Sequence, residues 1–522
     1  MCNFPVLASS YVEVVTRVAT VFRALITKLR KVIMKRLVLC LFVFLSAVPS
    51  LVRAQTWHYT GTMHTERRLH SCEVLPDGKV LAAGGSDQFG VALSSAEVYD
   101  PATEVWTLVS PMSIPRERHA TVQTLDGKVY VIGGNKGTTN NNIESASIEV
   151  FDYSTQTWTH VADLKIPRQN HTATLLNDSR ILITGGYSGD VLSECEIFDP
   201  STGVVTAVAS LNLARHDHSA TLLGDGKVLV LGGRNGGSGS DYFNQSEVYD
   251  PVANTWTVID QMHEGRISAS VVRFSDNSIL VAGGRNSPNS IASGAEMLMP
   301  SSMTWSDISP ILLPCNWQAG IRLPDDRYMI TGGYSGGDLS TNTVVISTPT
   351  CEWYDHGTQS WYYAPTMNLL RSEHGGVYMR QVINDGLPRD ILLVTGGITH
   401  ANTFTPTCEI LDVTSEAIAY YKAHQPSTSG VDGAQTLDPL HVTYGSDGYA
   451  KAATIGLQTS DQIWLEVYNE NGTRLQRTDE GTIAAGNHEF QFNTAGLAGG
   501  VYLFRVVPAH SAAIPSKFMV MH

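Results

Sequence analysis

The stretch His119–Trp158 decides the fold, because its parts recur through most of the chain. It reads HATVQTLDGKVYVIGG (His119–Gly134) and, after a polar loop, SIEVFDYSTQTW (Ser147–Trp158). An apolar run that ends in two glycines occurs seven times. The steps between these pairs are about 50 residues, a period typical of repeated supersecondary units. The glycine pairs stand at 84–85, 133–134, 185–186, 232–233, 283–284, 332–333 and 396–397.

Each copy contains the signals of four short strands. Runs such as VYVIGG and ILITGG lack period-two alternation, so they predict strands that are covered on both faces. Upstream, Asp126-Gly127 is a two-residue hairpin signal. Downstream, Asp199-Pro200 predicts a turn into an outer strand. A tryptophan follows in most copies, and we expect its ring to pack against the next repeat. These are Trp106, Trp158, Trp256, Trp305 and Trp361.

The period, the glycine pair and the later tryptophan resemble the kelch repeat, over about 370 residues. The resemblance implies that each copy is a four-stranded blade of a β-propeller. The last copy stops after Asp412 without an outer strand, whereas Thr56–His64 looks like an outer strand without its first three. We therefore predict an all-β fold in which a seven-bladed propeller is closed by the N-terminal strand. A small C-terminal β-sandwich is expected to follow.

Composition divides the chain into four predicted parts. Residues 1–54 hold the basic start Met34-Lys35-Arg36, the apolar run LVLCLFVFLSAV and a small-residue cleavage site at Ala54. They predict a leader with a secretory signal peptide, for which Met34 is the expected true start. The propeller is predicted over 55–425, a linker rich in Ser, Thr and Gly over 426–438, and a sandwich of short strands over 439–522.

The tail over 439–522 also resembles the C-terminal sorting domain of type IX (Por) secretion cargo. The usual Asn-Pro near the start of that domain is replaced here by Asp438-Pro439. The resemblance implies that the secretion machinery recognises this tail, and that the protein is secreted or held on the outer cell surface. The matching pieces are Val467-Tyr468, Asn471-Gly472, Gly486–His488, Leu497–Tyr502 and Lys517–Val520.

Charge and cysteine content narrow the choice of partners. The formal charge is −14, and residues 1–54 carry eight basic residues and only one acidic residue, so the rest is more acidic still. Such a surface repels phosphates, and we expect no nucleic-acid partner. The five cysteines beyond the leader have no CxxC spacing, so no zinc site is expected. We interpret them mainly as small buried residues and leave a disulfide open: Cys72, Cys195, Cys315, Cys351 and Cys408.

A second motif, R-x-x-H, opens most repeats, as in Arg116 and His119. A glutamate recurs in each predicted third strand, as at Glu149. We interpret Arg116, His119, Gly133, Gly134, Glu149 and Trp158 as structural. The arginine is expected to pair with the glutamate of its own blade, and the histidine to bond the backbone. Similar histidines spaced around a ring lie too far apart to share one metal ion.

Candidate ligand contacts lie on the rim that carries the loops after each glycine pair, because loops of uneven, polar composition are where binding concentrates. The sixth repeat replaces its motif with Pro314–Gln318, which leaves Glu352 without its arginine and introduces Trp317, the best aromatic candidate. Rings that stack and forked donors suit a sugar or a peptide. The other candidates are Tyr187, Tyr334, Arg234, Asn235, Arg285 and Asn286.

These features favour a non-enzymatic binding module for an extracellular glycan or protein, monomeric and without a cofactor. A surface scaffold or adhesin is one alternative, and a sugar-modifying kelch enzyme is another. Seven-bladed kelch domains also resemble the galactose-oxidase type of copper enzyme, whose centre needs two Tyr, two His and a Cys–Tyr crosslink. The histidines of the tail fit no recognisable part of that centre, and no G-x-S-x-G or H-E-x-x-H motif occurs. They are His441, His488, His510 and His522.

Overall fold

The computed structural model separates the chain into two compact units, residues 1–424 and 425–522. In the described part, the chain forms strands and turns and no α-helix, and therefore no helix there could cross a membrane. The leader with Met34 and the linker, predicted at 1–54 and 426–438, lie outside the described residues, so both stay predictions. The described residues are 56–138, 141–236, 241–288, 290–335, 347–384, 387–399, 403–414, 441–444, 450–457, 461–468, 474–484, 486–491, 500–508 and 514–520.

Within the described residues of the first unit, the strands form seven four-stranded antiparallel sheets. The first strand of each sheet contacts the first strands of both neighbouring sheets, and the first strand of the last sheet contacts that of the first. The sheets are therefore the blades of a closed ring, with their first strands innermost. This confirms the predicted seven-bladed propeller.

The strands run from the inside outward in each blade. In blades 1 to 4 they are Ser71–Val74, Val80–Ala83, Ala96–Asp100 and Val105–Val109; Ala120–Gln123, Val129–Ile132, Ser147–Asp152 and Thr157–Asp163; Thr172–Leu175, Ile181–Thr184, Cys195–Asp199 and Val204–Val208; Ser219–Leu222, Val228–Leu231, Ser246–Asp250 and Thr255–Val258. In blades 5 to 7 they are Ser270–Arg273, Ile279–Ala282, Ala295–Met299 and Thr304–Ile308; Ala319–Arg322, Arg327–Thr331, Cys351–Asp355 and Ser360–Tyr363; Gly375–Asn384, Leu387–Thr395, Cys408–Asp412 and His58–Thr60. A small hairpin, Arg285–Ser287 with Ser290–Ile291, forms a separate two-stranded sheet between the second and third strands of blade 5.

The seventh blade joins the two ends of the propeller. Its outer strand is His58–Thr60, which pairs antiparallel with Cys408–Asp412 in the register Tyr59 to Glu409. The preceding Trp57 is 3% exposed, and its indole N–H donates to the carbonyl of Pro365 in blade 6 at 2.8 Å. The predicted closure by the N-terminal strand is thus confirmed.

The glycine pairs let neighbouring blades approach each other. Gly133 has φ +61°, and a β-carbon there would lie 2.6 Å from the carbonyl oxygen of Arg168 in the next blade. Gly134 donates its N–H to that same oxygen at 2.8 Å. Only glycine combines a left-handed backbone with so close an approach at no steric cost. An equivalent N–H to carbonyl bond crosses each blade boundary: Gly85–Arg116, Gly134–Arg168, Gly186–Arg215, Gly233–Arg266, Gly284–Cys315, Gly333–Arg371 and Gly397–Arg67.

The second strands are buried on both faces, as their unbroken apolar runs predict; all four residues of Val129–Ile132 are buried. The direction predicted for the tryptophans was wrong, because they pack on the preceding blade rather than the next. Trp256 of blade 4 donates its indole N–H to Ala209 of blade 3 at 2.9 Å. The cause is the register, which places Trp256 opposite Tyr249 on the sheet face that looks back. Trp106, Trp158, Trp305 and Trp361 also pack on the blade before their own.

No disulfide joins the five cysteines of the described chain. Four of them are buried, and Cys72 is half-buried. Burial raises the pKa of the Cys195 and Cys408 thiols to about 12, so both are protonated at neutral pH. Their role is that of small apolar residues in the blades.

The second unit consists, in its described residues, of two antiparallel sheets, in agreement with the predicted small sandwich. One sheet has three strands and the other has four. In spatial order they are His441–Tyr444, Ala450–Leu457 and Gly486–Gln491; and Arg474–Ile483, Asp461–Tyr468, Gly500–Pro508 and Ile514–Val520.

Replacing the buried closing residue should destabilise the propeller far more than replacing its exposed neighbour. Trp57→Ala removes a buried ring and an interblade hydrogen bond, and we expect a loss of about 3–5 kcal/mol in unfolding free energy. Tyr59→Ala, two residues further along but 54% exposed, should cost roughly 0.5 kcal/mol or less. Urea unfolding of the full chain measures both, and equal losses would contradict the closure.

Candidate binding site at the channel mouth

In six blades a buried Arg–Glu pair links the segment before the first strand to the third strand. Arg116 is fully buried and donates from Nη2 to Glu149 at 2.6 Å and from Nη1 to the carbonyl of Gly133 at 2.8 Å. Glu149 also accepts the N–H of Ser113 in the incoming loop at 2.7 Å. The predicted pairing is present in six described blades: Arg67–Glu97, Arg116–Glu149, Arg168–Glu196, Arg215–Glu247, Arg266–Glu296 and Arg371–Glu409.

The histidines of the motif contact the neighbouring blade. His218 bonds the hydroxyls of Thr172 and Thr184 at 3.0 and 3.1 Å, and His374 bonds Thr331 at 2.9 Å. For these two histidines the predicted bond to backbone is thus replaced by bonds to threonine hydroxyls of the preceding blade. Burial lowers the pKa of His218 to about 3, so its ring stays neutral at ordinary pH. His119 instead packs its ring edge against Gly84.

Seven residues with left-handed backbone encircle the mouth of the channel, and we call them the inner ring. Each directly precedes the histidine position, which is followed by an innermost strand. Each has φ between 50° and 56° and is half-buried. Backbone hydrogen bonds link neighbours, as from Glu373 N–H to Trp317 at 3.0 Å and from Asp217 N–H to Asn170 at 3.1 Å. The members are Leu69, Arg118, Asn170, Asp217, Ser268, Trp317 and Glu373.

The inner ring carries charges of both signs. Glu373 pairs with Arg68 at 3.0 Å; burial raises the pKa of its carboxyl, although Arg68 and Arg118 act against this. Burial would also raise the pKa of Asp217, but hydrogen bonds and charge from His216 and Arg234 outweigh it and lower that pKa. Arg118 lies 3.9 Å from Glu117. The mouth is therefore a mosaic of opposite charges rather than a field of one sign.

Four of the sequence-predicted rim candidates occupy one equivalent position, immediately after the glycine pair. Backbone bridges join this position to the residue just before the inner ring in blades 3 to 6. Arg234 pairs with Asp217 at 2.9 Å, and the Tyr334 hydroxyl donates to Glu373 at 3.4 Å. The Tyr187 ring meets His216 edge-on at 6.0 Å, whereas Arg285 Nε bonds the carbonyl of Ser287 within its own hairpin.

The other three candidates differ in their surroundings. Trp317 belongs to the inner ring, and its indole N–H makes no hydrogen bond to the described part of the chain. Asn235 is exposed at the start of a loop. Asn286 donates to Glu264, so it lies with Arg285 on blade 5, away from the polar contacts around Glu373.

Sequence reasoning missed Arg68, Arg118, Asp217 and Glu373, which complete this mouth. They occupy the two middle positions of R-x-x-H, which the pattern treats as filler. In the sequence both middle positions differ in every repeat, whereas the arginine and the histidine around them recur in most repeats. Variation alone therefore does not distinguish the inner-ring position from the residue before it.

The sixth blade has a buried carboxylate without a cation. Glu352 is 2% exposed and accepts the N–H groups of Leu312 at 2.8 Å and Leu313 at 2.6 Å. Cys315 stands in the arginine position, and no basic side chain of the described residues pairs with Glu352. Burial raises the pKa of Glu352 to about 7, and these two N–H bonds offset only part of that rise.

The raised pKa predicts how stability should depend on pH. Glu352 titrates near 4.5 when unfolded and near 7 when folded, so its contribution is complete below about pH 4.5 and is lost as the pH rises through 7. The loss is on the order of 3 kcal/mol. Glu352→Gln should remove this part of the decline between pH 5 and 8, whereas Glu149→Gln should not. Parallel wild-type and Glu352→Gln curves from chemical unfolding would contradict the assignment.

One candidate metal group occurs among the described residues, and its composition differs from the copper centre of the galactose-oxidase type. One group of His, Cys, Asp or Glu side chains in the described residues lies within reach of a shared ion: His263, Glu296 and Asp307. Arg266 already donates to Glu296, and His263 bonds Asp307 at 2.8 Å. The group consists of one histidine and two carboxylates, whereas the galactose-oxidase type requires two Tyr, two His and a Cys–Tyr crosslink.

Comparison with known proteins places these features in a family. Residues 49–233 and 121–320 match the family described as KLHDC2/KLHL20/DRC7 Kelch-repeats domain. Kelch-like protein 36 of Rattus norvegicus is 26% identical over 309 residues, which are 58% of this chain and 40% of that protein. Alpha-scruin of Limulus polyphemus is 30% identical over 138 residues, 26% of this chain and 15% of that protein. The chain thus spans less than half the length of these relatives.

A solved structure shares the architecture. A fungal alcohol oxidase of the AA5 family, in complex with copper, aligns with a TM-score of 0.55 and 15% identity, covering 90% of this chain and 100% of its own. At this identity the likeness concerns the fold alone. The family match covers more than half of the chain and coincides with the repeated Arg–Glu pairs and glycine pairs. The chain therefore belongs to the kelch-repeat family.

Proposed function

We propose that the propeller is a recognition module that binds an extracellular protein or glycan at the inner ring. One observation carries this proposal: the ring has seven equivalent backbones but seven different side chains. A left-handed backbone favours glycine, asparagine and aspartate, and other residues are disfavoured there. Trp317, Arg118, Leu69 and Glu373 hold such positions although the backbone does not select them, which favours a role for their side chains.

The composition of the mouth favours recognition over catalysis. Indole, guanidinium and carboxylate groups surround one opening, and Trp, Tyr and Arg are the side chains enriched at binding hot spots. Charged groups there are largely paired with each other, as Arg68 is with Glu373 and Arg234 with Asp217. They fix the shape and orientation of the mouth. A partner would gain its specificity from the mosaic and its affinity from Trp317 and the rim tyrosines.

Export is part of the proposal. The signal-peptide pattern in residues 1–54 and the sorting-domain resemblance in 439–522 both support delivery to the exterior. We infer that the secretion machinery is a partner of the tail and that the propeller is the cargo. A surface scaffold is the second candidate function, since a rigid closed ring suits a spacer, and it differs by not needing the side chains of the mouth.

The proposal predicts that binding depends on the mouth and is insensitive to the opposite rim. The full chain is screened on a glycan array and against a panel of purified extracellular proteins. Hits are then measured with Trp317→Ala and Arg118→Ala. Removal of an aromatic anchor should weaken binding at least about tenfold. Leu125→Ala and Val252→Ala, 90% and 95% exposed in the hairpin turns of the other rim, are the controls and should change affinity by less than about twofold.

Three outcomes would contradict the proposal. The first is that neither screen gives a ligand. The second is that the ligands bind the Trp317→Ala variant as tightly as wild type. The third is that the opposite-rim controls lose binding to the same extent. Binding that survives every substitution in the mouth would favour the scaffold.

A further inference from the structure

Blade 6 retains the acceptors of a guanidinium site but not the arginine. In blade 2 the Arg116 guanidinium donates to three acceptors: the carbonyls of Gly133 and Ser147 and the carboxylate of Glu149. The corresponding groups of blade 6 are the carbonyls of Gly332 and Thr350 and the carboxylate of Glu352. The side chain at the arginine position is the much shorter Cys315.

The backbone around these acceptors is the same as in the other blades. The carbonyl of Cys315 accepts Gly284 N–H at 2.9 Å, as that of Arg116 accepts Gly85 N–H at 2.8 Å. A β-carbon on Gly333 would lie 3.2 Å from Cβ of Cys315, close to the 3.3 Å between Gly233 and Cβ of Arg215. The backbone of blade 6 therefore keeps the arrangement of the other blades at the position of the smaller residue.

The remaining bonds of the motif are also kept. Gly332 donates to Thr350 at 2.9 Å, as Gly133 does to Ser147 at 3.0 Å. Leu312 and Leu313 donate to Glu352 where Ser113 and Ile114 donate to Glu149. What differs is the cation. Among the described residues, no donor reaches the buried carbonyl of Gly332, and no basic group reaches Glu352.

A buried acceptor without a donor lowers the stability of the fold, and a buried carboxylate without a counter-charge lowers it further. We propose that blade 6 binds a small guanidinium cation between Gly332, Thr350 and Glu352, in the place that an arginine side chain takes in the six other blades. This is a ligand site separate from the mouth and independent of its proposed function. The same oxygen atoms that order Arg116 in blade 2 would order the ligand here.

The chemistry favours guanidinium over a metal ion. In blade 2 the two carbonyls bond one nitrogen and the carboxylate bonds another, so the acceptors are spaced for a planar group with several N–H donors. A calcium ion needs six to eight oxygen atoms converging at about 2.3–2.6 Å. Ammonium, Na⁺ and K⁺ carry the charge without the planar fork, and they serve as comparison cations.

Proton binding competes with the cation, because Glu352 must be ionised to pair with it. Two other titratable groups interact electrostatically with Glu352: the Cys315 thiol and the Tyr363 phenol. Burial, and then the charge of Glu352, raise the pKa of both groups. Both are consequently neutral between pH 6 and 8. Binding of the cation should therefore strengthen as the pH rises from 6 to 8 through deprotonation of Glu352.

The test is thermal unfolding and calorimetric titration of the full chain with guanidinium chloride at low millimolar concentration and pH 8, with NaCl, KCl and NH₄Cl at equal ionic strength. We expect a saturating rise in Tm of about 2 °C for wild type with guanidinium only. Cys315→Arg supplies its own guanidinium, and it should lose the response. Glu352→Gln, which keeps the shape but not the charge, should lose it too.

Arg266→Cys creates the blade 6 arrangement in blade 5 and is the matched positive control. It should be destabilised and regain stability with guanidinium, to a greater extent than wild type. The proposal is overturned if wild type shows no saturating response, whether or not Arg266→Cys responds. It is equally overturned if Cys315→Arg and Glu352→Gln respond as wild type does, because the cation would then act elsewhere. Should a variant fail to fold, the wild-type titration at pH 6 and pH 8 decides, and equal affinities contradict the site.

Discussion

The propeller depends on one constraint, the close approach of each glycine pair to the backbone of the next blade. A β-carbon at the first glycine of a pair would lie only 2.3 to 2.7 Å from a carbonyl oxygen of the neighbouring blade, at every boundary from Gly84 to Gly396. The second glycine donates its N–H to that carbonyl. Any side chain would push the blades apart, and the ring could not close with seven sheets. The boundary between Gly397 and Arg67 obeys the same rule as the six others, although its partners come from opposite ends of the propeller.

The buried Arg–Glu pairs have a different role from the glycines. Six blades share them, whereas blade 6 keeps the same backbone contacts with Cys315 in place of arginine. The ion pair therefore does not set the geometry of the ring. It satisfies acceptors that the geometry buries, and burying a pair of charges contributes little net stability even when every bond is made. This distinction explains how one blade can lose its arginine and still belong to the ring.

The sequence was sufficient for the architecture because the decisive features are local. Glycine pairs, apolar runs and turn dipeptides predicted the blades, and the unmatched strands at the two ends predicted the closure. The predicted orientation of Trp256 was wrong because neither the period nor the composition indicates which face of a strand contacts the preceding blade. That face is determined by the register with Tyr249. The hydrogen-bond partners of the histidines were not predicted either, because they belong to the neighbouring blade. His218 bonds Thr184, which lies 34 positions away in the sequence.

The mouth could be predicted only in part. The positions after the glycine pairs, such as Tyr334, were found because they place ring or guanidinium side chains on uneven, polar rim loops. Arg118 and Glu373 were not, since their importance follows from a left-handed backbone that is known only from the structure. Trp317 was identified for a related reason, the departure of its repeat from the motif. Residues that vary where the backbone is fixed are thus the informative ones in a repeat protein.

Hydrogen exchange at the amides of His58–Thr60 tests the central claim, a ring sealed by strands from both ends, most directly. If the strand pairs with Cys408–Asp412 as described, its amides that bond Cys408–Asp412 should be protected to the same degree as those of Cys408–Asp412 themselves, since both would open in one event. Exchange of His58–Thr60 within seconds, beside slow exchange of Cys408–Asp412, would show an unattached N-terminal arm and contradict the closed ring.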